Sequence, residues 1–127
     1  MGQQIDADVK RPRFGVITGE ELGTYDLLIV GSPTQQGAPL SSITILLDAI
    51  PANGLKNTRV AAFDTRHKWK FISPWGYAAP RLAKILTEKG GNLIAPPEGF
   101  LVNTTRGPLK NGELERANDW AKKLLEK

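Results

Sequence analysis

Hydrophobic and polar positions along this chain switch between two periods, and the switches mark its elements. The stretch Tyr25 to Pro39, YDLLIVGSPTQQGAP, is the one around which the rest is arranged. After Asp26 come the consecutive aliphatics Leu27-Leu28-Ile29-Val30, and Gly31 then opens a polar loop, Ser32-Pro33-Thr34-Gln35-Gln36-Gly37. So short an apolar run between turn signals predicts a strand buried on both faces, as in a parallel sheet covered by helices. Arg59-Val-Ala-Ala-Phe63 repeats the pattern and leads into a second polar loop, Asp64-Thr65-Arg66-His67. In open α/β sheets ligands lie beyond the carboxyl ends of the strands. If the chain has a small-molecule site, the loop Ser32–Gly37 is its expected wall.

The remaining segments fit the same scheme. Ile5, Ala7 and Val9 alternate with polar residues, predicting a half-exposed strand whose charged, Pro12-containing end favours an edge. Thr18 and Glu21 have the spacing of a capping box for a brief helical turn that stops by Gly23. Ser41 or Ser42 is expected to cap a helix through Ala49, with Ile43, Leu46, Leu47 and Ile50 on its apolar side and Pro51 ending it. Asn53-Gly54 reads as a turn. A further helix is predicted from Ala78 to Lys89, with Pro80 in its first turn and Ala78, Leu82, Ile85 and Leu86 facing inward. Gly90-Gly91 closes it. Asn92 to Ala95 and Gly99 to Val102 read as one strand split by Pro96-Pro97. Glu113 to Lys127 is predicted as the last helix, its core stripe formed by Leu114, Ala117, Ala121 and Leu124. Strands alternating with helices through short connections predict an α/β fold with a mostly parallel sheet.

Composition narrows the chemistry. The 127 residues suit a single domain spanning 1–127. Without cysteine, thiol catalysis, Cys-ligated metal and disulfides are excluded for this sequence, and its lone histidine, His67, cannot form a metal cluster by itself. No metal site is expected. No apolar run approaches the roughly 20 residues that span a bilayer, so a cytoplasmic protein is expected. The net charge of +4 admits an anionic partner, yet the basic residues are dispersed and no nucleic-acid motif is present, so nucleic acid is not an expected partner. Arg11, Arg13, Arg66, Lys68 and Lys70 read as a solvated rim or as an attraction for an anionic ligand. Trp69, Trp75 and Tyr77 either cover a ligand ring or pack on the end of the sheet. Trp120 reads as core or helix flank.

Taken in order, YDLLIVGSPT, Pro39-Leu-Ser, VAAFDTR, GYAAPRLAKILTEKGG and APPEGFLV followed by GPLKNGELERANDWA resemble a flavodoxin. The resemblance runs from Tyr25 to the C-terminus and implies a three-layer α/β/α sandwich with FMN at its switch point. It implies FMN-dependent electron transfer or quinone-reductase-type activity. By that resemblance Ser32, Pro33, Thr34, Gln35, Gln36 and Gly37 lie along one side of the isoalloxazine. Asp64, Thr65 and Arg66, with the aromatic segment up to Trp75, Gly76 and Tyr77, lie on the other. No catalytic side chain is implied, since the flavin would carry the chemistry.

Aligned on that family, Met1 falls near the end of the first helix. The expectation is thus an N-terminally shortened domain without its first strand, first helix and phosphate loop. An empty slot between strands would leave buried backbone groups unpaired at roughly 1–3 kcal/mol each. The flanking strands closing up, Phe14 to Thr18 moving in, or pairing with another chain would fill it, and self-association through the strand edges is expected to give a homo-oligomer. Two functions remain open from sequence: an FMN-dependent redox protein with a redox partner, or a flavin-free binding or assembly module on the same fold.

Overall fold

The computed structural model describes residues 18–34, 38–66, 77–102 and 111–126. Thr18 accepts the Glu21 N–H at 3.2 Å and starts α1, Gly19–Leu22, with Gly23 as C-cap. Strand β1 is Leu27–Pro33, and α2 follows at Ser41–Asp48. Strand β2, Arg59–Arg66, leads through Tyr77 into α3, Ala78–Glu88. The short β3, Asn92–Leu93, and β4, Glu98–Leu101, precede α4, Glu113–Leu125. The predicted strand at 5–9 lies outside the described residues.

Strands β1 and β2 pair in parallel, with Leu27 opposite Arg59 and Pro33 opposite Thr65. On the other side of β2, both β3 and β4 pair in parallel: β3 lies against Arg59–Val60 and β4 against Phe63–Arg66. They are two halves of one strand position, interrupted before β4 where Pro96 and Pro97 cannot donate to a ladder. The split read from the sequence is therefore present. Successive β2 residues point to opposite faces of the sheet. Val60 and Ala62 belong to a core with Leu22, Ile43, Leu47, Ile50, Leu55, Leu82, Ala83 and Leu86. On the other face Phe63, Phe100 and Trp120 of α4 meet edge to face, with centroids 5.8–6.0 Å apart. Helices thus lie on both faces of a parallel sheet, as three layers require. Gly31 lies opposite Phe63, and a Cβ there would run into the Phe63 ring.

Four expectations need correction. Both strands run further than predicted, β1 through Ser32-Pro33 and β2 through Asp64-Thr65-Arg66, because the ladder continues across these polar residues. Leu27 to Gly31 are half-buried, not buried on both faces, since among the described residues β1 pairs with β2 alone. Neither Ser41 nor Ser42 is the N-cap of α2. Leu40 holds that position, its N–H donating to Ser32 Oγ at 2.9 Å and its carbonyl accepting from Thr44 Oγ1 at 3.0 Å. Leu114 is 55% exposed, leaving Ala117, Ala121 and Leu124 as the buried stripe of α4.

The ladder also has a phase. Arg59 N–H donates to Asp26 O at one end, and Thr34 N–H to Thr65 O at the other. In a parallel pair this directs the N–H groups of Leu28, Val30 and Ser32 toward β2 and those of Leu27, Ile29 and Gly31 away from it. Pro33 falls on the outward phase, so its missing N–H costs the ladder nothing.

Candidate functional site

The carboxyl ends of β1 and β2 bring the two predicted walls together. Ser32 stands opposite Asp64 and Pro33 opposite Thr65, while Asp64 and Arg66 face Gly99 and Leu101 of β4 on the other side. Tyr77 joins them from the residue before α3. Of the remaining expected site residues, Gln35, Gln36, Gly37, Trp75 and Gly76 lie outside the described residues, as do Trp69 and His67.

Ser32, Thr34 and Asp64 use their side-chain oxygens to build this rim. The buried Ser32 hydroxyl donates to Pro33 O at 2.8 Å while accepting from Leu40 N–H, which ties β1 to the start of α2. Thr34 Oγ1 accepts from Ala78 N–H at 3.1 Å. Asp64, fully buried, accepts from Ala79 N–H at 2.8 Å. These are the first two amides of α3, which have no partner within the helix. A carboxylate there also meets the positive end of the helix dipole.

Asp64 carries its own counter-ion. Arg66 Nε and Nη2 donate to the two carboxylate oxygens, both at 2.6 Å, a bidentate pair of the strongest kind. The guanidinium stacks on Tyr77, 3.6 Å from the ring centroid. A Cβ at Gly99 would collide with that guanidinium. Arg66 therefore has a defined place at the rim and is not one more solvated cation.

A second polar cluster, unforeseen from the sequence, fastens α4 to β4. Arg116 Nη1 donates to Glu98 Oε1 at 2.7 Å, and its Nε and Nη2 donate to Glu113 at 3.0 and 2.8 Å. Nη2 also donates to Gly99 O, and the guanidinium lies over Phe100 at 4.7 Å. Glu113 Oε2 accepts from Leu101 N–H at 2.7 Å. Hydrogen bonds from Arg116 hold the Glu113 carboxyl below its ordinary range against the opposing effect of burial, and Leu101 N–H adds to the lowering. The Glu113-x-x-Arg116 spacing was a legible helical pair. Glu98 comes from another element, and no spacing signals it.

Among the described residues, no three His, Asp or Glu side chains gather as a metal site, and no helix is long and apolar enough to cross a membrane.

A parallel sheet with helices on both faces and its polar rim at the strands' carboxyl ends defines a flavodoxin-like fold. Among solved structures the chain is similar to rubredoxin:oxygen oxidoreductase from the anaerobe Desulfovibrio gigas, at 27% identity and a TM-score of 0.55. The match covers 76% of this chain and 21% of that one, so the chain spans about a fifth of its length. No protein-family model and no curated protein matches the sequence.

Proposed function

We propose that this chain is a flavodoxin-like redox domain. FMN would lie with its ring beyond β1 and β2, between Ser32–Gly37 and the wall made by Asp64–Arg66 with Trp75–Tyr77. One observation carries the reading: the parallel register of Ser32-Pro33 with Asp64-Thr65 brings the two walls to one rim. Likeness to a structure named as an oxidoreductase supports a redox role. When bound, FMN supplies the electron or hydride chemistry, and the protein orients and tunes it.

The donor set at the rim limits what these residues do. Thr34, Leu40, Ala78 and Ala79 N–H groups already bond within the chain. The described residues therefore fit as a frame for the ring. Backbone N–H groups of Gln35, Gln36 and Gly37 would supply the hydrogen bonds to its carbonyls. A helix N-terminus is a ready place for a phosphate, but at α3 that position is filled by Asp64. The described residues thus offer no phosphate cradle there.

That same observation favours a second reading, a flavin-free binding or assembly module whose helix start is occupied by its own carboxylate. Titration of the purified chain with FMN, followed by quenching of flavin fluorescence, separates the two. Saturable one-to-one binding is expected. A colourless protein that leaves FMN fluorescence unchanged at high micromolar concentrations overturns the redox reading in favour of the second.

A further inference from the structure

Tyr77 is the N-cap residue of α3, with extended backbone at φ −137° and ψ 161° and no side-chain capping bond. Its ring lies against Arg66, which is placed to orient it. The bidentate bond to Asp64 fixes the guanidinium plane, and Asp64 is itself anchored to Ala79 N–H of the same helix. The Gly99 backbone leaves room for the guanidinium, and Tyr77 lies on it at 3.6 Å. Helix start, carboxylate, guanidinium and aromatic ring form one connected stack.

We infer that Arg66 is a positioning residue: clamped by Asp64, it holds the Tyr77 ring as a platform for the ring system of the ligand. This rests on the FMN reading above. Planarity is the essential property. Lysine would retain the charge opposite Asp64 but could neither hold a plane nor stack, so R66K separates positioning from charge.

The test compares FMN with riboflavin, which has no phosphate and reports on the ring alone. In R66K both dissociation constants are expected to rise roughly three- to tenfold, because a lysine ammonium can approach the ring face but cannot hold its plane. Y77L is expected to weaken binding by a similar factor and to add little on top of R66K, because the two residues act as one unit. The wild-type Arg66 Nε–H resonance, lying near the Tyr77 ring, is expected to shift on flavin addition. This readout does not depend on any variant folding.

A purely structural Arg66 would lower the unfolding midpoint of R66K and leave the affinity of the folded protein unchanged. That result, additive losses in the double variant, or an unmoved Arg66 resonance overturns the assignment while leaving the FMN reading intact. Tighter binding by R66K also overturns it, since Arg66 would then compete with the ligand. Failure of the wild-type chain to bind either flavin overturns the FMN reading and the platform together.

Discussion

Asp64 is the residue on which the rim depends. It is a fully buried carboxylate that holds a helix amide and a guanidinium at once. Removing one member of such a pair leaves the other without compensation. D64N keeps the shape but removes the charge, and it is expected to destabilise the fold by about 3 kcal/mol. Urea denaturation at neutral pH checks this as a lower midpoint with an unchanged slope. The sequence placed Asp64 beside the site but predicted a loop. Its burial was not legible, because a polar triplet after an apolar run reads as exposed until the register opposite Ser32 and Gly99 is known. Gly31 misled in a similar way. It reads as a strand breaker, yet it continues the ladder, and what it makes room for is the ring of Phe63, a residue distant in sequence.

Elements were legible where their own residues determine them. The cap at Thr18, the split at Pro96-Pro97 and the helix bearing Pro80 follow from local chemistry. What joins elements was not legible, and the attachment of α4 to β4 is the clearest instance. Leu114 has the right helical spacing for the core stripe, yet it stands outside it, and ionic bonds around Arg116 fasten that end of the helix instead. This attachment is acid-sensitive in a definite direction. A carboxyl whose pKa is lowered on folding contributes stability above its unfolded range, near 4.3, and loses it as pH falls through the folded value. Arg116 remains charged throughout, its pKa raised further by Glu113. Wild type is therefore expected to be more stable than E113Q at pH 6, and the difference should shrink as pH falls toward 3. Thermal unfolding of both proteins across that range measures it.

For the whole molecule, the parallel layered architecture was readable, and LLIV and VAAF are indeed parallel neighbours. The outer side of β1 was not, because pairing there depends on what is adjacent and not on the strand's own residues. If a second copy pairs along it, the amides of Leu27, Ile29 and Gly31 should exchange more slowly as protein concentration rises. Those of Leu28, Val30 and Ser32 should be slow at every concentration. Hydrogen exchange at two concentrations distinguishes the sets, and outward amides that are fast at both would argue against self-association.

The interrupted strand position has an evolutionary corollary. Asn92–Leu93 and Glu98–Leu101 each take their register from β2 independently, so the span between them transmits no alignment. Pro96 is exposed at that point. Extra sequence grafted between Ala95 and Pro96 would leave both half-strands where they are. An insertion there is expected to leave the Ile94 and Val102 amides, which donate to Val60 and Arg66, as protected from hydrogen exchange as in the wild type.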